Sequence, residues 1–181
     1  MIAGLPISEL AESLKRLRSG EQTTDEIVRW LRAVHPIAQG IPAPQNGNQT
    51  REYTRTLLHK SDAFEVLVLH WKPGSASLIH DHGGAQCWFT VAGGTMIMEN
   101  YVRYDSGDTP EYARVGMQGR EQLIAGSVDY RSDDVHLHRC IAGPSAVTTL
   151  HVYARPIERF YTFDEDAHSC MQAAATYDAV L

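Results

Sequence analysis

Histidines at a spacing that suits metal binding are the first chemical feature of this sequence. His80 and His82 lie two residues apart. On a β-strand, residues i and i+2 point to the same face, so both imidazoles can reach one ion while Asp81 points away. Imidazole is a ligand for zinc, copper, iron and nickel, but one strand supplies only a pair here, so a third ligand must come from elsewhere. The candidates for that ligand are His136, His138 and His151.

Short β-strands are the elements that must position these histidines. After residue 50 the sequence consists of short β-type runs separated by Gly, Pro, Asp and Ser, a pattern typical of an all-β sandwich or barrel. The tyrosine-rich run over 100–112 is expected to form a hairpin and loop. Strands are expected near residues 53–59, 64–71, 77–82, 87–92, 95–104, 121–126, 135–141, 147–154 and 159–163.

Amphipathic helices are predicted before the strands. One covers residues 7–18, and a second begins at a threonine cap, Thr23 or Thr24. The apolar face of the first consists of Ile7, Leu10, Leu14 and Leu17, and that of the second of Ile27, Val28, Leu31 and Val34. The sequence therefore predicts a single, mainly β domain over residues 1–181. Its parts are N-terminal helices in 1–40, a β-barrel in 50–163 and a C-terminal tail in 164–181 that could form a short helix.

Composition and charge exclude several classes of protein. The 181 residues are 43% hydrophobic and 21% charged, which is ordinary for a globular domain. A net charge of −6 argues against nucleic acid and anionic membranes as partners. No apolar stretch approaches the roughly 18 residues of a membrane span, and the first residues lack the pattern of a secretory signal. Because the 3 cysteines are too few and too scattered for a disulfide framework, a cytoplasmic protein is expected.

The first histidine pair lies in a motif that resembles the first motif of the cupin superfamily. Gly74 precedes the run 80–82, and Gly93–Gly94 follows the next predicted strand. Many cupins place a glutamate ligand four or five residues after the second histidine, where this chain has Gln86 and Cys87. A cupin with three histidine ligands, and with cysteine in place of that glutamate, resembles cysteine dioxygenase. The resemblance implies a cupin fold, a small β-barrel or jelly roll, with a short N-terminal helical cap.

Further matches to the cysteine dioxygenase family run in order from about residue 50 to 156. They are Tyr53–Arg55, Trp71, His80–His82, Cys87, His138–Arg139, Thr149, His151 and Tyr153. The resemblance implies that His80, His82 and His138 bind Fe(II). It also implies that Arg55, with help from Tyr53, binds the carboxylate of a small thiol substrate that is oxidised by O2.

The remaining site residues are also assigned by this resemblance. Tyr153 is expected to hydrogen-bond oxygen or sulfur at the iron, and His151 to orient Tyr153. Cys87 is expected at the same place as the family's cysteine that is cross-linked to the tyrosine, so a Cys87–Tyr153 thioether is predicted as a partial modification. Cys140 and Cys170 are interpreted as structural.

Departures from the family pattern leave several assignments open. Ala142 stands where the third-ligand motif usually has asparagine, and His136 could compete with His138 for the metal. The run Ala154–Pro156 replaces a Ser-Pro-Pro turn that often contains a cis bond, and a trans turn is expected here. Arg155 is either an exposed residue or the partner of a second substrate carboxylate.

The departures from the family pattern also leave more than one substrate and activity possible. L-cysteine is the leading substrate, and 3-mercaptopropionate or mercaptosuccinate could take its place. A non-catalytic cupin that binds a metal or metabolite would carry the same histidines. So would a zinc or manganese isomerase, although such enzymes generally need the carboxylate that Cys87 replaces.

Overall fold

The structure is a computed structural model that describes residues 23–44, 51–132 and 136–181. The helix predicted over 7–18 lies outside the described residues. Within them, the chain forms α1 (Thr24–Gln39), β1 (Tyr53–Lys60), β2 (Phe64–Trp71), β3 (Ile79–His80), β4 (Gln86–Gly93), β5 (Thr95–Arg103), β6 (Val115–Ile124), β7 (Val128–Arg131), β8 (Leu137–Ala142), β9 (Val147–Ala154), β10 (Arg159–Asp164), β11 (Ser169–Ala174) and β12 (Ala179–Val180). No helix among these residues has the length and apolarity needed to cross a bilayer.

The strands form two six-stranded sheets that pack face to face. The first sheet has the order β12-β1-β2-β9-β4-β7, and the second has the order β11-β10-β3-β8-β5-β6. A hydrophobic core lies between them and draws on both sheets, with Leu69 and Phe89 from the first and Met96 and Met98 from the second. This jelly-roll arrangement confirms the expected mainly β fold, and it places the inner faces of β1, β2, β4 and β9 opposite β3 and β8.

Helix α1 covers the outer face of the first sheet. It begins with a capping box, in which Thr23 accepts from the Glu26 N–H and the Glu26 side chain accepts from the Thr23 N–H. Two such reciprocal bonds satisfy N–H groups that a helix start would otherwise leave unpaired. Ile27 and Leu31 pack in the same core cluster as Val66 of β2. Because its sheet is covered on both faces, β2 is almost entirely buried, which explains its continuous apolar sequence.

Strand β3 is much shorter than the expected strand over 77–82. The chain leaves the sheet at Gly83 and Gly84, whose φ angles are 58° and 77°. Asp81 stabilises this turn, because its Oδ1 accepts hydrogen bonds from the N–H groups of Gly83 (3.1 Å) and Tyr161 (2.7 Å). A Cβ atom at Gly83 would lie 2.1 Å from the carbonyl oxygen of Arg159, so the turn requires glycine at this position.

Residues 164–181 form strands, and the short helix expected there is wrong. β11 pairs with β10 in an antiparallel hairpin, and β12 lies parallel to β1. The alanines of this segment favour a helix in isolation, but tertiary pairing with β10 overrides that preference. The tyrosine-rich run over 100–112 forms the end of β5 and the loop that leads to β6, as expected. No peptide bond among the described residues is cis, which confirms the trans turn after Ala154.

Candidate active site

Three histidines from the second sheet and the turn after β3 form one cluster. His80 of β3 is the direct cross-strand neighbour of His138 on β8, and His82 follows β3 by two residues. The ring centroids lie 4.6 Å apart for His80 and His138, 4.9 Å for His82 and His138, and 5.5 Å for His80 and His82. One ring nitrogen from each residue lies within 4.8 Å of the other two. His136, which precedes β8, is exposed and lies outside this group.

The electrostatics of the cluster favour neutral imidazoles. Burial lowers the pKa of His80 to about 4 and holds the pKa values of His82 and His138 well below 6.5. The Nδ1 atom of His80 lies 2.9 Å from the carbonyl oxygen of Leu78. Since a carbonyl only accepts, that nitrogen carries the proton and Nε2 of His80 carries the lone pair.

The nitrogens of the cluster that face one another fit a metal ion. Nε2 of His80, which carries a lone pair, lies 3.2 Å from Nε2 of His138. The Nδ1 atoms of His82 and of His138, the latter on the opposite side of its ring, are buried without a hydrogen-bond partner. Buried polar groups without partners are rare in folded proteins. Three neutral nitrogens on one side of a cavity match the ligands that iron, zinc and copper accept, and they leave the other coordination positions open. Among the described residues, the metal-capable group contains no carboxylate or cysteine.

A hydrogen-bonded chain runs along the inner face of β9. The indole N–H of Trp71 donates to Thr149 Oγ1 (2.9 Å), which lies 2.8 Å from Nε2 of His151. Nδ1 of His151 in turn lies 3.1 Å from the hydroxyl oxygen of Tyr153. Burial lowers the pKa of His151 to about 3, so its imidazole is neutral.

The direction of these bonds follows from the donor at the start of the chain. Thr149 accepts from Trp71, so we assign its hydroxyl proton to the bond with Nε2 of His151. A neutral His151 then carries its proton on Nδ1 and donates it to Tyr153. The O–H proton of Tyr153 is therefore left to donate elsewhere, and Tyr153 lines the same cavity as the three histidines. His151 and Tyr153 are thus in hydrogen-bond contact, and the orienting role of His151 stays a prediction.

Arg55 and Tyr53, two residues apart on β1, line the cavity on the side of the first sheet. The Nε atom of Arg55 is buried and has no hydrogen-bond partner. The ring of Tyr53 stacks on Trp71 with centroids 4.2 Å apart, and burial raises the pKa of its hydroxyl. A half-buried guanidinium whose buried N–H has no partner is a site for an anion.

These groups share one small cavity that is partly open to solvent. It is lined by Tyr53, Arg55, Leu69, Trp71, His80, Asp81, His82, His138, Cys140, His151, Tyr153, Ile157 and Phe160. Sequence reasoning missed Cys140 as a cavity residue, although its position two residues after His138 on β8 would have indicated the same face. Ile157 and Phe160 come from the connection to β10 and from β10 itself, and no local pattern points to them.

Cys87 is fully buried on β4, directly opposite Tyr153 of β9. Side chains directly opposite each other on antiparallel strands have Cβ atoms about 4.5–5.5 Å apart. Burial raises the pKa of the Cys87 thiol well above 9. The structure therefore places the two side chains as neighbours.

Arg155 lies outside this cavity. It follows β9 with a φ of 61°, and its side chain donates to the carbonyl oxygen of Gly84 at 3.4 Å. It lines a separate surface pocket together with Lys60 and Arg159. A role for Arg155 as a second carboxylate partner inside the main cavity is thus not supported by its position.

The jelly roll of two sheets and the three-histidine cavity between them define a protein of the cupin class. The pattern of the cysteine dioxygenase type I family matches residues 47–166, two thirds of the chain, and the chain belongs to this family. The expected resemblance is confirmed, and the family's span includes every residue that lines the cavity.

Relatives and solved structures are distant. The chain is 27% identical over 116 residues to cysteine dioxygenase type 1 of Danio rerio, covering 62% of this chain but only 56% of the relative. It is 24% identical over 162 residues to cysteine dioxygenase type 1 of Homo sapiens, covering 88% of this chain and 79% of the relative. A protein from Klebsiella pneumoniae with a double-stranded β-helix domain is 19% identical, with a TM-score of 0.47, over 76% of this chain and 88% of that chain.

Proposed function

We propose that this protein is an Fe(II)-dependent thiol dioxygenase that converts a small carboxylate-bearing thiol to its sulfinic acid with O2. L-cysteine is the leading substrate. The observation that carries the proposal is that the unpaired guanidinium nitrogen of Arg55 and the three-histidine cluster line one small cavity. An anion site beside a metal-capable group suits a substrate with a carboxylate at one end and a thiol at the other.

His80, His82 and His138 would hold the metal. Three neutral ligands leave the full charge of a divalent ion uncompensated, which favours an anionic thiolate. Bound iron supplies the redox and Lewis-acid chemistry by which a thiolate reacts with O2. The overall reaction is RSH + O2 → RSO2H, in which sulfur loses four electrons to the two oxygen atoms, so no external reductant is required.

Arg55 would bind the substrate carboxylate. A planar guanidinium presents two parallel N–H groups that match both carboxylate oxygens, which a lysine does not. Tyr53 lies on the same face of β1 and would support this contact. The fixed carboxylate then determines how far the thiol reaches toward the histidine cluster.

Tyr153 would donate its free O–H to a sulfur or oxygen atom of the reacting substrate. His151 holds the phenol through the bond to its hydroxyl oxygen, and Thr149 fixes the tautomer of His151. A thioether to Cys87 would restrict Tyr153 further, because it removes the rotamer freedom of the phenol.

One feature favours 3-mercaptopropionate as a second candidate substrate. The sole carboxylate among the described lining residues is Asp81, and its Oδ1 already accepts from the N–H groups of Gly83 and Tyr161. One oxygen of the cavity's carboxylate is therefore already occupied by backbone donors. A thiol acid without an amine, or a substrate whose amine binds the metal, makes no demand on that carboxylate. Mercaptosuccinate needs a second cationic partner, and Arg155 does not line the cavity.

The test is oxygen consumption by iron-loaded protein with L-cysteine, 3-mercaptopropionate, mercaptosuccinate and 2-aminoethanethiol. We expect turnover with at least one of the three thiol acids, one O2 consumed for each sulfinate formed, and a much higher KM for 2-aminoethanethiol, which lacks a carboxylate. Absence of turnover with every thiol, by protein that retains iron, would instead identify a non-catalytic metal-binding cupin.

A further inference from the structure

The segment of residues 175–181, called here the 175–181 segment, packs along β1 beside Arg55. Its strand β12 lies parallel to β1, with Ala179 opposite Thr56. Asp178 forms two hydrogen bonds with the backbone of Arg55. The Arg55 N–H donates to Asp178 Oδ2 (2.9 Å), and the Asp178 N–H donates to the carbonyl oxygen of Arg55 (2.8 Å). The backbone of Arg55 is therefore fixed by a residue 123 positions later in the chain.

Tyr177, the neighbour of Asp178, contacts the Arg55 side chain. The guanidinium carbon of Arg55 lies 6.0 Å from the centroid of the Tyr177 ring, and Nζ of Lys60 lies 5.5 Å from the same centroid. Both distances are within the range in which a cation is attracted to an aromatic face. Since Nε of Arg55 has no hydrogen-bond partner, this aromatic contact is the interaction that restricts the guanidinium from the side of the 175–181 segment.

Glu65 fixes Tyr177. The Tyr177 hydroxyl donates to Glu65 Oε2 and accepts from Nζ of Lys60 at 3.3 Å. Glu65 is fully buried, and its Oε1 accepts from the N–H of Ile157 (3.2 Å), a cavity residue. A buried carboxylate requires such donors, so removing the Tyr177 hydroxyl leaves Oε2 of Glu65 without this hydrogen bond. In this way the ring of Tyr177 is held in one place relative to the cavity.

We propose that Tyr177, anchored by Glu65, is a positioning residue that fixes the Arg55 guanidinium for the substrate carboxylate. The inference rests on the proposed function, because it assigns a role to Tyr177 only through Arg55. This role makes the affinity for carboxylate-bearing thiols depend on the 175–181 segment. That segment contains none of the three histidines of the cluster. A merely structural role for Tyr177 would affect all thiols alike.

The experiment compares KM and kcat of Tyr177→Leu with those of the unchanged iron-loaded protein. For the best thiol acid we expect KM to rise about 3- to 30-fold, the factor that corresponds to an ordinary cation–π contact, with kcat nearly unchanged. For 2-aminoethanethiol, both constants should stay as they are. Tyr177→Phe, which keeps the ring but loses the hydroxyl, should give a smaller rise in KM. The matched control is Val180→Thr on the same segment, where the side chain is 70% exposed and should have no effect.

Two further variants keep the test decisive. If Tyr177→Leu does not fold, Tyr177→Gln removes the aromatic face while retaining an N–H donor for Glu65. In an Arg55→Ala background, loss of the Tyr177 ring should raise KM no further, because the guanidinium it positions is gone. An equal rise in KM for 2-aminoethanethiol, or the same additional rise in the Arg55→Ala background, overturns the inference. Thiol-acid turnover with an unchanged KM in the Tyr177 variants overturns the inference alone, whereas no turnover by the unchanged protein overturns the proposed function as well.

Discussion

His138 and His136 offer a comparison at the scale of single residues, because they are two positions apart and only His138 lies in the histidine cluster. Replacing His138 by Ala should remove most of the bound iron and the oxygen consumption, since two imidazoles hold a divalent ion poorly. Replacing His136 by Ala should leave both nearly unchanged. Iron content per chain after loading and desalting measures the difference. Full iron binding in the His138 variant, with loss in the His136 variant, would assign the third ligand to His136.

Arg55 carries the second prediction at this scale. Arg55→Ala should lower kcat/KM for the preferred thiol acid by roughly 30-fold or more, since losing one partner of a desolvated charge pair costs about 2–5 kcal/mol. Most of the change should appear in KM. Arg55→Lys keeps the charge but not the planar pair of N–H groups, and should recover only part of the loss. Steady-state oxygen consumption measures both variants, and an unchanged kcat/KM for every thiol acid would contradict the role of Arg55.

Cys87 and Tyr153 carry the third prediction. The two side chains are direct neighbours across β4 and β9. Extended turnover should therefore form a Cys87–Tyr153 thioether in a fraction of the molecules, with two hydrogens lost to oxygen. Intact mass should then show a species lighter by about 2 Da, and peptide mapping should find a link that reducing agents do not cleave. Cys87→Ser should abolish that species. Separate, unmodified peptides after long turnover would leave Cys87 as a packing residue.

The predictability of the site from sequence differs from residue to residue. The His80–His82 pair follows from strand periodicity, as does the shared face of Tyr53 and Arg55. The choice of His138 over His136 needed the family pattern. The two histidines are two residues apart, so strand periodicity alone places both on the same face. The position of Tyr177 beside Arg55 and its hydrogen bond to Glu65 could not be predicted, since both depend on long-range contacts with a segment more than 100 residues later.

At the scale of elements, the turn that follows β3 determines where His82 lies. Gly83→Ala would add a Cβ atom 2.1 Å from the carbonyl oxygen of Arg159 at a φ of 58°, so strain and a clash combine. Gly74→Ala is the matched control, because its φ of 71° is similar but nothing lies within 4 Å of the added atom. We expect Gly74→Ala to cost about 1–2 kcal/mol and Gly83→Ala at least about 2 kcal/mol more. Urea unfolding of both variants measures the costs, and equal values would show that the turn relaxes away from Arg159.

The strands that sequence predicted well are those whose pattern is local. β2 and β9 are buried runs of apolar and β-branched residues, and their bounds agree with the expected ranges 64–71 and 147–154. The strands it missed depend on their partners. β12 has two residues and exists because it pairs with β1, and β11 contains an alanine run that pairs with β10 although alanine favours helices. Local propensity therefore identifies β2 and β9 at the centre of the first sheet but misses the edge strands β7, β11 and β12.

At the scale of the whole molecule, the cavity concentrates uncharged histidines, and this makes stability depend on pH. Burial lowers the pKa values of His80 to about 4 and of His151 to about 3, and it also lowers those of His82 and His138. In the unfolded chain the same groups titrate near 6.5. The unfolded state therefore binds more protons than the folded state at any pH below about 6.5. The stabilisation is fully present above that pH and is lost as the pH falls toward 4.

The last prediction is that metal-free protein loses stability on mild acidification while the fold itself stays the same. Each buried histidine contributes up to about 1.4 kcal/mol per pH unit below 6.5, so the free energy of unfolding should fall steeply between pH 6.5 and 5. Most carboxylates remain ionised in both states over this window, so histidines dominate the change. Urea unfolding in the presence of a chelator at pH 7.5, 6.5, 5.5 and 5.0 measures it. His151→Gln should reduce the slope by about one proton, because Gln keeps polar groups beside Thr149 and Tyr153 but does not titrate. A free energy of unfolding that is flat or that rises on acidification would mean that the cavity histidines are already protonated in the folded protein, and that the cluster is not the set of neutral ligands on which metal binding depends.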